Sequence, residues 1–282
     1  MTSNTLGVDF FALDSWTEPP GELRERIGAT LRERGIAGLT GARGRHDALK
    51  VARLLLAELH PHRDSGPDGL TTIRDTGRQG HRMGLAGLGH SDLAVHTESS
   101  QLPSPPRLVI LVCLQPGRAG GESILVDGRA VLGELAGFRP AALEALSAPR
   151  AAYFGGADGL FAPVLEDLPS RRWRVRLRQD ELARFSPEAQ AQMPALRTAI
   201  ARHTVSVRLT AGQAILLDNH RFLHGRAAFT GERLLLRALG PAHSALGLEP
   251  GFAAPWSAAE GAKDSACPAP AGRTGPAAVK PC

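Results

Sequence analysis

The chain has 282 residues, 43% of them hydrophobic and 22% charged, with a net charge of +5 and a pI near 9.7. This is an ordinary globular composition, long enough for a full core, and it excludes disordered and collagen-like classes. The basic residues are scattered, which favours a basic enzyme with small acidic ligands over a nucleic-acid binder, and no apolar run approaches a membrane span.

MTSNTLGVDFF, at the start, lacks the charged and apolar regions of a signal peptide, so a cytoplasmic location is expected. Residues 7–13 alternate enough for a short edge strand. Pro19 and Pro20 open a helix, ELRERIGATLRERG, that Gly35 ends. IAGLTG reads as a short buried strand, and residues 46–59 carry apolar side chains at helical spacing; both helices should buttress a sheet. HPHRDSGPDG is a loop and GLTTIRDT a strand. GRQGHRMGLAGLGHSD lacks the strand–GxxxxGK–helix context of a phosphate cradle and reads as a flexible loop near a site. His60, His62, His81 and His90 are expected at the surface or in loops, with His90 a weak alternative metal ligand.

LAVHTESS follows, then an extended turn set by Pro103, Pro105 and Pro106. RLVILVCLQPG is a central strand and GGESILVD the next one. Asp127 should cap a helix, DGRAVLGELAG, with a short helix over 140–146. Residues 153–167 read as a loop or hairpin over the site. In RRWRVRLRQDEL, Trp173, Val175 and Leu177 alternate with Arg172, Arg174, Arg176 and Arg178; the arginines are expected on a solvated face, with a positive rim for an anionic substrate as the lesser alternative. Ser186-Pro187-Glu188 starts a helix that runs to about residue 202. HTVSVRLTAGQAILLDN reads as a hairpin that delivers His224, and RLLLRALG closes the sheet. Residues 1–250 are taken as one domain, and 251–282, rich in Ala, Pro, Gly and Ser, as a disordered tail.

Two distant stretches carry the chemistry. In an extended segment His96 and Glu98 project to one face, and His224 stands on a sharp HG turn far downstream. Two imidazoles and a carboxylate suit Fe(II) and leave coordination positions open. Closed zinc sites take four ligands and are usually cysteine-rich. Cys113, Cys267 and Cys282 have no such spacing, which also argues against a disulfide framework. If GERLLLR is a strand, Arg233, Leu235 and Arg237 share a face. Arginines facing an apolar interior are costly unless an anion meets them. A diacid that chelates iron at one end, such as 2-oxoglutarate, would satisfy both. Each signal alone has a plainer source: a core histidine, a chance H-x-E, a pair of surface arginines. Asp218 and Asn219 should cap a strand end or orient a metal histidine. Ser99, Ser100, Gln101 and Arg226 either touch substrate or pair locally.

Taken together, HTE at 96–98, GGES at 120–123 and DNHRFLHGRAAFTGERLLLR at 218–237 resemble the Fe(II)/2-oxoglutarate dioxygenases of the taurine dioxygenase and clavaminate synthase type. The similarity covers residues 93–239 and, more loosely, the N-terminal third. It implies a double-stranded β-helix (jelly roll), mostly β with flanking helices. It implies that His96, Glu98 and His224 bind iron, and that Arg233 and Ser123, where the family commonly has Thr, hold the distal carboxylate of 2-oxoglutarate. Arg237 would lie beside the nearer carboxylate; the short loop from His224 to Arg233 leaves that division between the arginines open. Glu98, in place of the commoner Asp, leans toward the clavaminate-synthase side, where amino-acid-like substrates are frequent, and argues against a halogenase. The implied reaction uses Fe(II), 2-oxoglutarate and O2 to hydroxylate an unactivated C–H of an amino acid or a carrier-protein-bound aminoacyl group in specialised metabolism, releasing succinate and CO2. Desaturation, epoxidation and cyclisation remain alternatives within the class. Outside it stand a metal-dependent hydrolase and a non-catalytic small-ligand-binding jelly roll. No nucleic-acid or membrane partner is expected.

Overall fold

A computed structural model describes residues 7–13, 20–77 and 86–256. The chain opens with β1 (Phe10–Ala12), α1 (Pro20–Arg34), β2 (Ile36–Thr40) and α2 (Arg45–Leu55). Next come β3 (Thr71–Ile73), β4 (Leu93–His96), β5 (Leu108–Gln115), β6 (Ala119–Gly120) and β7 (Ser123–Asp127). Helices α3 (Gly128–Phe138) and α4 (Pro140–Ser147) precede β8 (Ala152–Phe154), β9 (Leu160–Ala162), β10 (Leu165–Leu168), β11 (Arg172–Val175) and β12 (Ala183–Phe185). The rest is α5 (Pro187–Arg202), β13 (Thr204–Val207), β14 (Ala214–Asp218), β15 (Phe222–Arg226), β16 (Phe229–Thr230), β17 (Leu234–Gly240) and β18 (Phe252–Ala253).

Local chemistry sets the helix ends. The Asp127 carboxylate accepts from the Arg129 N–H to cap α3, and Ser186 accepts from the Ala189 N–H to cap α5, which begins at Pro187. Helix α2 stops at Leu55, short of the expected residue 59, because Leu56 turns extended and bridges to Ala242.

Side-chain alternation then stacks the layers. One sheet has the order β1-β2-β14-β5-β17-β3 and a second the order β13-β7-β15-β4. Val109, Leu111, Ile215, Leu217, Leu235 and Leu239 of the first sheet meet Leu125, Val205 and Phe222 of the second in one core. The opposite side chains of the first sheet, Leu108, Ile110, Val112, Leu216 and Leu236, pack on Ile27 and Leu31 of α1 and Val51 and Leu55 of α2. Strand β5 is therefore buried on both faces, which is why it reads as an unbroken apolar run. Val95, Val126 and Leu223 on the back of the second sheet pack on α3, α4 and α5 through Leu132, Leu146 and Met193. Each fully buried Leu or Ile in these layers contributes roughly 1.5–3 kcal/mol. Two facing sheets flanked by helices make the expected double-stranded β-helix.

Four expectations are corrected. Strands β13 and β14 form no hairpin: β13 pairs with β7, whereas β14 lies between β2 and β5 in the other sheet. Every residue of β14 is buried but β13 is partly exposed, so β14 needs cover on both faces that a hairpin with β13 would not give. The turn closed by the Gln213 N–H on Thr210 O carries the chain across. The arginines of 172–178 do not form a solvated face. Arg176 is 2% exposed and donates to the carbonyls of Ser100 and Leu102, each at 2.6 Å. Arg174 pairs with Glu166 at 2.7 Å, and Arg178 pairs with Asp180. Polar partners make such burial tolerable; burial first, then Arg174, lowers the Arg176 pKa to about 10.

Residues 153–167 do not cover the site either. They form the β8–β9 hairpin and β10, and pack on the outer helical layer through Phe154, Ala162 and Val164. Finally, residues 251–256 of the expected tail are part of the fold: β18 pairs with β11, and Phe252 is 4% exposed. The carbonyls of residues 246–253 are held by four arginines, from α1, α3, β11 and the loop before β5. Arg32 donates to Leu246 O, Arg107 and Arg172 to Gly251 O, Arg172 also to Pro250 O, and Arg129 to Ala253 O. The remainder of the tail, 257–282, with Cys267 and Cys282, lies outside the described residues, as do Pro19 and His81. Among the described residues no helix is long and apolar enough to cross a membrane.

Candidate active site

Strands β4 and β15 pair antiparallel with His96 opposite His224. Glycine at 225 permits that approach: a Cβ there would lie 2.5 Å from Leu93 O. The HG pair thus sits inside a strand, not on the sharp turn expected from sequence. The two imidazole centroids are 4.6 Å apart. Strand β4 ends at His96, and Glu98 follows in a turn. Thr97, between them, exchanges hydrogen bonds with the Leu177 backbone at 2.9 and 3.1 Å. Ligand atoms of His96, Glu98 and His224 all lie within 4.8 Å of one another, with Glu98 Oε1 3.4 Å from His224 Nε2.

The protonation states favour a cation. His96 Nδ1 donates to Ala94 O at 2.9 Å, which fixes the tautomer and leaves Nε2 with a free lone pair. Burial, then His224, lowers the His96 pKa to about 4, so the ring is neutral at physiological pH. Burial alone would raise the Glu98 pKa, but Arg237 and then His224 outweigh it and hold the carboxyl well below the usual range. Neutral imidazole and ionised carboxylate are the forms a metal needs.

These side chains open into a cavity of about 280 Å³ between the two sheets. Arg237 and Leu235 of β17 and Arg233 just before it line the opposite wall, as their shared strand face predicts. Arg237 donates to Glu98 Oε1. Arg233 is 8% exposed and, among the described residues, pairs with no carboxylate. Its guanidinium carbon lies 5.6 Å from the Phe229 ring centroid, and burial lowers its pKa. Ser123, 4% exposed, lines the same cavity from β7. Gly121 at φ 80° lets the chain pass the Arg233 side chain, which a Cβ would meet at 3.1 Å. The donor set N, N, O beside a buried guanidinium that forms no ion pair among the described residues fits a divalent metal with an anion next to it.

The other named residues divide. Ser99, at φ 54°, and Gln101 line the cavity, and Gln101 Oε1 is buried without a hydrogen-bond partner. Ser100 does not line it; its carbonyl accepts from Arg176. Arg226 lines the cavity, but its guanidinium donates to Gly87 O at 3.0 Å and to Ser91 O. Burial, then Arg233, lowers the Arg226 pKa to about 10. His90 is outside the cluster and bonds Asp75 at 3.0 Å.

Two residues do more than their local sequence indicates. His62 lies in a loop, as expected, and also lines the cavity, where burial followed by Arg237 lowers its pKa; no local pattern distinguishes it from its neighbours His60 and Arg63. Asn219 follows the end of β14, as expected of a strand cap, and of the two roles considered for it the histidine contact is replaced by bonds to the Glu98 backbone. Arg178 and Asp180 also face the cavity.

A family model described as taurine catabolism dioxygenase TauD, TfdA family matches residues 2–239. A uridine-5'-phosphate dioxygenase from a Streptomyces species is 28% identical over 151 residues. That match takes in 47% of this chain and 55% of the relative, so the chain spans about half the length of that relative. Among solved structures, an asparagine oxygenase in complex with Fe(II), 2S,3S-3-hydroxyasparagine and succinate superposes with a TM-score of 0.66 at 20% identity, covering 80% of this chain and 81% of the other. The non-heme iron oxygenase OrfP in complex with Fe and α-ketoglutaric acid gives 0.60 at 17% identity, covering 83% and 94%. At these identities the likeness is one of fold.

Proposed function

The chain belongs to the TauD, TfdA dioxygenase family, and from that premise we propose an Fe(II)- and 2-oxoglutarate-dependent oxygenase that hydroxylates an unactivated C–H of an amino acid or amino-acid-derived intermediate in specialised metabolism. His96, Glu98 and His224 hold the ferrous ion in this reading. Ser123 and Arg233 hold the distal carboxylate of 2-oxoglutarate, and Arg237 lies by the nearer one. When bound, iron and 2-oxoglutarate would supply O2 activation, with succinate and CO2 released. The observation that carries the reading is the meeting, in one cavity, of three ligand atoms within 4.8 Å and a buried arginine that, among the described residues, forms no ion pair with a carboxylate.

The chain's own groups do the rest. His96 keeps Nε2 free by donating from Nδ1 to a carbonyl. Arg237 neutralises Glu98; a cation at Glu98 would take over that role and leave the guanidinium for a carboxylate. Leu111, Ile73 and Leu235 supply apolar walls that limit water. Ser99, Gln101 and Arg226 are proposed around the substrate, with Gln101 Oε1 the unpaired acceptor. An amino-acid substrate is supported by the asparagine oxygenase and by OrfP bound to (3S)-hydroxy-L-Arg. The site lies in the cytoplasm in this reading.

The experiment is to incubate the protein anaerobically with Fe(II) and 2-oxoglutarate, add O2 with a library of free and carrier-bound amino acids, and measure succinate. Uridine 5'-phosphate is included as the competing substrate class. Substrate-stimulated succinate with an amino acid supports the proposal. Stimulation by the nucleotide alone replaces the substrate class, and no Fe(II)-dependent succinate with any compound overturns the activity.

A further inference from the structure

Strand ladders position two of the three candidate ligands. His96 and His224 face each other across β4 and β15. Glu98 lies past the end of β4, where no ladder reaches it. We infer that Asn219, in the turn between β14 and β15, is a positioning residue that sets Glu98 against the two histidines; this rests on the proposed metal site.

The Asn219 side chain acts as a one-residue neighbouring strand. Its Oδ1 accepts from the Glu98 N–H at 2.8 Å, and its Nδ2 donates to Glu98 O at 3.1 Å and to Pro106 O at 2.9 Å. The residue is 1% exposed. A side-chain amide offers two donors and an acceptor on one planar group, and here all three capacities are used on the segment that carries Glu98. Residues on each side complete the hold. Asp218 accepts from Arg107 Nη2 at 2.8 Å and from the His220 N–H at 3.0 Å, and the Asn219 N–H donates to Arg107 O at 2.9 Å. Arg107 Nη1 contacts His220 Nδ1 at 3.0 Å. The segment from Glu98 to Arg107 is thus fastened to the turn that leads into β15 and His224. The glutamate ligand and the distal histidine move as one piece.

No other residue type of that size supplies the pattern. Asn219→Ala removes all three bonds. Asn219→Asp keeps the acceptor for the Glu98 N–H but sets a carboxylate oxygen against two carbonyls. The full chain is titrated anaerobically with Co(II), read by its visible ligand-field bands. Both variants should bind Co(II) about 10–100-fold more weakly than the parent, the usual effect of losing a partner behind a metal ligand, with shifted bands. Ser186→Ala, which uncaps the distant α5, should lower the melting temperature and leave Co(II) affinity and bands unchanged. Asn219 variants that melt earlier yet bind Co(II) like the parent would assign a purely structural role and overturn the inference. Should neither variant fold, hydrogen exchange on the metal-free parent decides: a Glu98 amide as slow as those of β4 supports the clasp, and a freely exchanging one overturns it. If the parent binds no Co(II), or Glu98→Ala binds it equally well, the metal site itself fails and the inference with it.

Discussion

Arg233→Met separates an anion-binding arginine from an ordinary buried one, because two measurements should move in opposite directions. Arg233 is 8% exposed and, among the described residues, forms no ion pair with a carboxylate; burial lowers its pKa, offset in part by Cys113 and Glu122. Replacing buried ionic groups by well-packed apolar side chains of similar volume is often neutral or stabilising, by up to about 1–4 kcal/mol, and an arginine without an ion-pair partner has still less attraction to lose. Loss of the contact with the Phe229 ring, 5.6 Å away, removes about 0.5–1 kcal/mol of that gain. A net gain of about 1 kcal/mol in a fold of this size raises the melting temperature by about 2–4 °C. Against this, a charge-assisted hydrogen bond to the co-substrate carboxylate contributes about 1.5–3 kcal/mol, so 2-oxoglutarate should bind roughly 10–150-fold more weakly. The assay is differential scanning fluorimetry of the metal-free variant, followed by titration of the Fe(II) form with 2-oxoglutarate under nitrogen. A lower melting temperature with unchanged 2-oxoglutarate affinity would refute the reasoning and move the distal contact to Arg237.

His96→Ala and His224→Ala should each abolish Fe(II)-dependent succinate formation while the chain stays folded by circular dichroism; full turnover in either removes that histidine from the site. Gly225→Ala places a methyl 2.5 Å from Leu93 O and forces β4 away from β15, which should cost about 1–3 kcal/mol in urea unfolding and weaken metal binding; an unchanged midpoint would mean that the strands do not pair this closely. His220 has its pKa lowered from 6.5 to about 3 by burial and then Arg107. Its folded pKa is depressed, so the stability it contributes is complete above pH 6.5 and lost as pH falls toward 3. Metal-free His220→Gln should therefore lose stability less steeply than the parent between pH 7 and pH 4; parallel curves would show that the ring is not buried in its neutral form.

Much of the fold was readable because period-two patterns identify faces. Arg233, Leu235 and Arg237 share a wall of the cavity as their spacing requires, and the caps at Asp127 and Ser186 act as their residue types predict. What period two does not encode is which sheet a strand joins, and so the split between β13 and β14 was read as a hairpin. The arginines of 172–178 failed for a different reason. Their acceptors include backbone carbonyls distant in sequence, such as Ser100 O and Pro250 O, and a carbonyl leaves no mark in a residue pattern. The reach of His62 into the cavity and of Asn219 to Glu98 is hidden on the same ground: each matters through a neighbour that only the folded chain brings near.

The straps on residues 246–253 have a consequence for sequence drift and for shear. A guanidinium that grips a carbonyl is indifferent to the side chain of the residue it holds, so exposed Pro250 and Ala253 are free to vary while the attachment persists, whereas Leu246 and Phe252, both buried in the core, are not. The anchors come from α1 behind one sheet and from α3 and β11 on the other side. The strip therefore laces the two halves of the sandwich together at the rim, and sliding one half past the other would have to unfasten it first.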